Sequence, residues 1–466
     1  MNTEFIISGR LHERLRTHLY PGDGLEAVAL IACGHRDSKY NNGLLAKEIF
    51  CVPYNACTVR TAVQVSWPTS VTEVFLETCA KNGYSVAKVH SHPTGYRDFS
   101  DTDDISDRAL FPSLHGWLYG STMLASLIML PDGSMIGRTV SETAVFAPIS
   151  MIKYVGDDLR FWPHGALPMT TEEGVMDKAA LRLIQTFGQG TYRRLRQLRI
   201  GIVGLSGIGS ILTELLARNC VGTLVLVEPD IVEEKNLNRM INSRRAQADA
   251  GERKVDVLMS AIEAMGLSIN IEPYPADVCS PRVVRALASC DAIFGGMDST
   301  YGRHLVNRLS SFYLIPYFDA GVKLVSDGKG GIDSITAAAH YLQPDGSSLM
   351  SRGVYSQEQL EVDGIRVSDP EQYKRLLKEG YIKGINEDRP AVITINALAA
   401  TLAVNDFLAR IHPYREDGNS SYAMQFFSVD KGFYHHEGDG TPSPLSQRNA
   451  GRGDVMPLLD RPDLSE

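Results

Sequence analysis

No CxxC pair occurs in these 466 residues, and no cysteine follows Cys290. The seven cysteines (Cys33, Cys51, Cys57, Cys79, Cys220, Cys279 and Cys290) are odd in number and scattered. That argues against a disulfide framework and fits a reducing cytoplasm. No apolar run approaches the roughly 20 residues of a membrane span, so no membrane association is expected. The start, MNTEFIISGRLHERL, has an early acid and only a short apolar patch, unlike a secretory leader. A basic surplus is also missing. The 46 Lys and Arg face 55 Asp and Glu, a net charge of −9, which disfavours nucleic acid as a partner. Internal repeats are absent. What remains is an ordinary globular composition whose length suits two or three domains.

Residues 1–150 mix strand-like and helix-like runs. EAVALIACG (26–34) reads as a buried strand, and VTEVFLETCAKNGYSVAKVHSH as an amphipathic helix running into a strand that ends near His92. TMLASLIMLPDGSMIGRTV reads as strand, turn, strand. FWPHGALPMTTEEG is rich in Pro, Gly and polar residues, so 151–178 is expected to be a linker. From 179 to 437 strands and helices alternate, which predicts a parallel sheet covered by helices. Residues 438–466 are polar and rich in Gly and Pro, and are expected to form a mobile tail.

The informative stretch of the first segment is His90-Ser91-His92-Pro93, followed after a loop by Ser100 and Asp103. Histidines at i and i+2 on a strand share a face, so both imidazoles reach one metal. A carboxylate after the loop supplies a third ligand. Three protein ligands leave the fourth tetrahedral position for water, as in catalytic zinc. Two blander readings compete: a turn with two surface histidines, and a capping box in which Ser100 and Asp103 start a helix. The run resembles the JAMM (JAB/MPN-plus) motif HxHPx6SxxD throughout. The resemblance implies a mixed-sheet zinc metalloprotease or isopeptidase, with His90, His92 and Asp103 as zinc ligands and Ser100 as the hydroxyl that stabilises the oxyanion. It also implies a glutamate base on an earlier strand. Glu26 is the best candidate; Glu48, Glu73 and Glu77 also lie upstream, the last two on a helix-like pattern.

In the second segment RIGIVGLSGIGS reads as a strand, a glycine-rich turn and a helix start, where backbone N–H groups can approach phosphate. Ser206 stands where a strict GxGxxG has its middle glycine, and a dinucleotide dehydrogenase stays open at that point. The next run, TLVLVEPDIVEEKNLNRM, resembles the ThiF/MoeB and ubiquitin-activating-enzyme superfamily. Its pattern is D-x-D-x-V-x-x-x-N-L-x-R, with Glu228 replacing the first aspartate. GERKVDV and AIFGGMDSTYGRHLVNR continue the likeness. The resemblance implies a Rossmann-like adenylation domain, dimeric, using ATP and Mg²⁺. Gly204, Gly207 and Gly209 would cradle phosphates and Glu228 would hold the ribose. Asp230, Asn236, Arg239 and Lys254 would surround the phosphates, Asp298 would bind Mg²⁺, and Arg182 would reach the partner subunit's ATP.

Relatives of that kind often carry a thioester cysteine or zinc-binding cysteines after the Mg²⁺ aspartate. Here PDGSSLMSRG places Ser348 and Ser351 at those positions. The sequence therefore reads as a bacterial-type α/β fusion. One half would cleave after a ubiquitin-like C-terminus, and the other would adenylate the C-terminal glycine carboxylate released. The adenylate would then pass to a partner, a conjugating enzyme foremost. A sulfur-carrier pathway, a peptide-modifying adenylase and a non-catalytic scaffold are the rival readings.

Overall fold

The first apolar runs pair into a sheet around the strand that follows Glu26. The computed structural model describes residues 2–118, 123–165, 178–326, 331–379, 381–382 and 392–465. The chain divides into two compact units: residues 1–168 with 312–314 and 449–460, and residues 169–311 with 315–448 and 461–466.

The first unit contains β1 (Asn2–Ser8), β2 (Val28–Arg36), β3 (Asn41–Cys51), β4 (Val59–Arg60), β5 (Val65–Ser66), β6 (Ser85–Ser91), β7 (Leu124–Met129), β8 (Met135–Val140), β9 (Phe146–Pro148), β10 (Met151–Val155) and β11 (Leu159–Pro163). Nine of these form one mixed sheet in the order β11-β10-β1-β3-β2-β6-β7-β8-β9, while β4 and β5 make a separate hairpin. Central β2 is apolar almost throughout because both its faces are covered. One face packs Leu11, Leu15 and Leu19 of α1 (Gly9–Leu19), which recur every four residues as one helical stripe. The other packs Leu76 and Cys79 of α2 (Glu73–Asn82) with Phe111 and Leu114 of α3 (Asp101–Trp117).

The second unit has α4 (Leu181–Gln197), β12 (Arg199–Val203), α5 (Gly207–Arg218), β13 (Thr223–Val227), α6 (Arg245–Ala250), α7 (Lys254–Glu263), β14 (Asn270–Tyr274), α8 (Pro281–Ala288), β15 (Ala292–Gly295), α9 (Thr300–Tyr313), β16 (Tyr317–Ser326), β17 (Ile332–Leu342), α10 (Gln357–Ser368), α11 (Pro370–Lys378), α12 (Ile393–Ile411), β18 (Met424–Ser428), β19 (Phe433–Glu437) and α13 (Pro444–Asn449). Its sheet runs β14-β13-β12-β15-β16-β17-β18-β19. The first five strands of that order are parallel, as the alternating pattern predicts, and β17, β18 and β19 continue it antiparallel. The parallel strands end their C-termini at one edge, where α/β sheets place ligands.

Two expectations change. The segment 151–178 is not all linker: β10 pairs in parallel with β1 and carries β11 beside it, with Ile152 and Val155 buried. Residues 166–177 of that segment lie outside the described residues. Nor is 438–466 a loose tail. Leu458, Leu459 and Leu464 are buried, and Asp439 forms a buried ion pair with Arg352 at 2.9 Å. Within the first unit Gly453 bridges to His35, the Asp454 amide donates to His35 O at 2.7 Å, and the Tyr313 hydroxyl reaches Asp454 at 2.6 Å. Few apolar residues suffice because long-range hydrogen bonds satisfy the polar backbone.

Candidate active sites

β2 and β6 pair antiparallel with Val28 opposite His90. Continuing that register sets Glu26 opposite His92. The Ala27 amide donates to Ser91 Oγ at 3.0 Å, and the Ser91 amide to Ala27 O at 3.0 Å, so the register holds past the strand ends. Ser91 points away from its two histidine neighbours and locks Ala27, which fixes Glu26 beside them. The β4–β5 hairpin pins Glu26 from the other side. The Glu26 amide donates to Thr61 O at 2.7 Å, and Arg60 Nε donates to Glu26 O at 3.0 Å while its Nη1 pairs with Asp23 at 2.6 Å.

The loop after His92 delivers Ser100 and Asp103 to the same place. Ser100 is the N-cap of α3 and makes a complete capping box with Asp103. The Asp103 amide donates to Ser100 Oγ at 3.2 Å, and the Ser100 amide and hydroxyl each donate to Asp103 Oδ2 at 2.7 Å. Asp103 Oδ1 faces His90 Nε2 at 2.8 Å, His92 Nε2 lies 3.5 Å from Oδ2, and the two Nε2 atoms are 3.1 Å apart. One carboxylate thus both closes the capping box and faces the two imidazoles. Below this turn, Arg138 grips α3 through Asp107 at 2.6 Å and Asp104 at 2.5 Å. Its guanidinium lies between the Phe99 and Phe146 rings, 3.8 and 3.7 Å from their centroids.

Charge states at the site suit a cation. His92 Nδ1 lies 2.8 Å from Tyr96 O; with the proton on that nitrogen, a cation would take the Nε2 that faces Asp103. Burial pushes His90 down to about 4, so its imidazole is neutral. Burial would lower His92 too, but hydrogen bonds to Asp103 and the Tyr96 carbonyl raise it. Burial would raise Asp103, yet hydrogen bonds from His90, His92 and Ser100 hold it far below the usual carboxylate range. Burial pushes Glu26 up to about 7, the neighbouring His92 opposing and Asp103 reinforcing the shift. Ligands at about 2 Å from a tetrahedral zinc lie roughly 3.3 Å from one another. His90 Nε2 lies 2.8 Å from Asp103 Oδ1 and 3.1 Å from His92 Nε2, and His92 Nε2 lies 3.5 Å from Asp103 Oδ2, spacings close to that value; two imidazoles and a carboxylate are a donor set that suits such an ion.

At the C-terminal edge of the parallel strands lies the second set. Gly204 follows β12 with φ +83° and its α-carbon against Met297, where a Cβ would come within 2.8 Å of backbone. A Cβ on Gly209 would overlap Gly204 O at 1.6 Å. Only glycine permits this turn at either position. Glu228 follows β13 and is buried. Its Oε2 accepts from the Leu205 amide at 2.8 Å and its Oε1 from the Asp230 amide at 3.2 Å, which ties it to the glycine turn. Lys254 begins α7 and is 4% exposed; its Nζ lies 2.9 Å from Asp230 and 3.6 Å from Glu228. Burial raises Glu228 and the Lys254 charge opposes it.

The remaining residues divide. The Arg239 side chain passes 3.4 Å from where a Gly207 Cβ would stand, and the Asn396 amide of α12 2.3 Å from it. Asn396 was not foreseen, since no local pattern marks it. Asn236 is buried and accepts from the Glu233 amide at 3.0 Å, closing the short turn that carries Arg239. Asp298 is exposed on the turn between β15 and α9, next to the Met297 that abuts Gly204. Arg182 is exposed on α4 and bonds Gln185 at 3.0 Å. In RHLVN, Arg303 pairs with buried Asp319 and Asn307 accepts from the Leu349 amide at 3.0 Å, so both have structural partners.

Comparison with known proteins matches two families to separate stretches of the chain. Residues 179–433 match the model of the ThiF family, and residues 8–139 that of prokaryotic homologs of the JAB domain. A SAMP-activating enzyme E1 of Haloferax volcanii is 30% identical over 159 residues, 34% of this chain and 53% of its own. An adenylyltransferase and sulfurtransferase UBA4 of Meyerozyma guilliermondii is 27% identical over 135 residues, 29% of this chain and 31% of its own. A sulfur carrier protein adenylyltransferase of Thermus thermophilus is 28% identical over 125 residues, 27% of this chain and 45% of its own. The chain therefore spans about half or less of these relatives' lengths. Among the described residues no helix is long and apolar enough to cross a membrane.

Proposed function

The chain belongs to the ThiF family and carries a JAB-type domain before it, and from that premise we propose a two-step enzyme acting on one ubiquitin-like protein. The first domain cleaves after the partner's C-terminal glycine, and the second adenylates the carboxylate released. The observation that carries the reading is the meeting of His90, His92 and Asp103 within 4.8 Å, with Glu26 opposite His92.

Zinc held by His90, His92 and Asp103 would supply an acidified water and polarise the scissile carbonyl. Glu26, poised near neutral pH by burial, takes the water's proton and hands it to the leaving amine. The Ser100 hydroxyl, bonded to Asp103 beside the two imidazoles, would stabilise the substrate oxygen as it gains negative charge. In the second domain the Gly204–Gly209 turn receives ATP phosphates, Glu228 the ribose, and Lys254 with Arg239 the charge that develops at the α-phosphate. Asp230 and Asn236 hold those cations and their turn in place, and Asp298 supplies a hard oxygen ligand for Mg²⁺. Arg182, exposed and without a role in its own subunit's site, is assigned to a partner copy's ATP within a homodimer. One chain holding both sites raises the effective concentration of the second for the first's product. The working compartment in this proposal is the cytoplasm.

The names of two relatives favour a second reading, in which the adenylate goes to a sulfur donor rather than a conjugating enzyme. The deciding experiment supplies the purified chain with candidate carriers encoded near it. Cleavage of a C-terminally extended carrier and ATP–pyrophosphate exchange with the trimmed form are expected. A chain that does neither with any such carrier refutes the proposal.

A further inference from the structure

The turn that carries Asp298 is closed by residues from two remote segments. Asp363 of α10 is 1% exposed. Its Oδ2 accepts from the Tyr301 amide at 2.8 Å and from Ser299 Oγ at 3.0 Å, and its Oδ1 from Arg366 Nε at 2.8 Å. Ser299 Oγ in turn accepts from the Gly302 amide at 3.1 Å. Asp363 thus satisfies the Tyr301 amide in the first turn of α9 as an N-cap would, from 62 residues away, and steadies the Ser299 hydroxyl that takes the Gly302 amide. On the other side the Tyr301 hydroxyl donates to Asp463 Oδ2 at 2.9 Å, and Arg461, paired with Asp463 at 2.9 Å, also reaches that hydroxyl. The Tyr301 ring lies against Gly364, where a Cβ would stand 3.5 Å away.

Residues 299–302 are therefore held from both sides, while Asp298, one residue earlier, is exposed and makes no hydrogen bond or ion pair among the described residues. An exposed carboxylate on a loose turn would lose orientational freedom on binding a cation. One on a fixed turn has lost most of it already. We propose that Asp363 is a positioning residue for Asp298, and that the Arg461–Asp463 clasp on Tyr301 completes the support. The divalent-cation affinity of the adenylation site is then set by α10 and the C-terminal segment. This inference rests on the adenylation reading.

The test uses the full chain, with Asp363→Ala, Asp363→Asn and Tyr301→Phe. The magnesium concentration for half-maximal ATP–pyrophosphate exchange should rise about tenfold in Asp363→Ala, the low end for residues that orient metal ligands. Asp363→Asn, which keeps one acceptor oxygen, should recover part of the shift. Tyr301→Phe should shift it less, and it serves alone if Asp363→Ala fails to fold. Hydrogen exchange at the Tyr301 and Gly302 amides should quicken in Asp363→Ala while strand amides stay protected. Manganese titration by electron paramagnetic resonance with ATP present reads the same metal without turnover. Manganese affinity equal to wild type in Asp363→Ala and in Tyr301→Phe overturns the clasp. A wild type that binds manganese and ATP but exchanges no pyrophosphate overturns the adenylation reading instead.

Discussion

The Ser100 hydroxyl sits 2.7 Å from Asp103 Oδ2 while Asp103 Oδ1 sits 2.8 Å from His90 Nε2, so one carboxylate both closes a helix cap and faces the proposed metal position. The two duties separate by mutation. The wild type is expected to carry one zinc in its first domain and to lose it in a His90→Ala, His92→Ala double variant. Ser100→Ala should keep the zinc, slow cleavage, and cost about 1 kcal/mol of stability through the lost cap. Metal analysis by emission spectroscopy checks this; well-folded wild type without zinc would sink the assignment.

Glu26 should be a stability liability in the metal-free chain. Burial raises it from 4.5 to about 7, so the folded state holds a proton that the unfolded state has released over that interval. Stability is then full below pH 4.5 and falls as pH rises through about 7. Glu26→Gln removes that decline. In metal-depleted protein its advantage over wild type should be on the order of 1 kcal/mol at pH 8, after allowing for solvent screening, and absent at pH 4. Urea unfolding at the two values measures it. The same variant should retain zinc yet stop cleavage; cleavage at the wild-type rate would assign the base elsewhere.

Both candidate sites were legible because their determinants are local. A two-residue strand period aligns His90 with His92, and a three-residue helix-start spacing brings Ser100 to Asp103. The glycine turn sits at one strand-to-helix joint. What escaped the sequence depends on distance. Asp363 acts on Tyr301 across 62 residues, and Asp439 on Arg352 across 87, with no periodicity to reveal either. Strands β10 and β11 were hidden because Pro and Gly follow them closely and their pairing partner, β1, lies at the start of the chain. The C-terminal leucines that become buried are too few to form a pattern.

Lys254 carries the adenylation site's charge balance. It is buried between Asp230 and Glu228, and Glu228 is buried with it. Lys254→Met should therefore leave one buried carboxylate uncompensated and lower stability by roughly 3 kcal/mol. ATP–pyrophosphate exchange should fall by about two orders of magnitude, since a cation facing developing phosphate charge is lost. Adding Glu228→Gln should restore much of the stability and none of the exchange. Calorimetry and exchange assays on the single and double variants check it; additive stability losses would show that the pair is not coupled.

The segment 344–353 bears on how the proposed adenylate would leave. Where a thiol or metal clamp would stand, Ser348 and Ser351 bond each other. The Ser348 amide donates to Ser351 Oγ at 2.8 Å, the Ser351 amide to Ser348 Oγ at 3.1 Å, and the Ser351 hydroxyl to Ser348 O at 2.9 Å. Beside them Arg352 pairs with Asp439 and donates to Tyr341 O at 2.8 Å and Ala423 O at 3.0 Å, a protein-only staple for the turn. A serine hydroxyl needs an adjacent base to act as a nucleophile at neutral pH. His340, the nearest histidine in sequence, is buried on β17 in register with Asp319, and burial pushes it down to about 3. Ser348 is therefore expected to stay unacylated, and the adenylate to be handed directly to a partner's nucleophile. Enzyme, ATP and the ubiquitin-like partner, run on denaturing gels with and without thiol or hydroxylamine, give the answer. No covalent adduct on this chain is the expected result. A thiol-sensitive adduct would refute the idea, and one that resists thiol, yields to hydroxylamine and vanishes in Ser348→Ala would establish a serine ester instead.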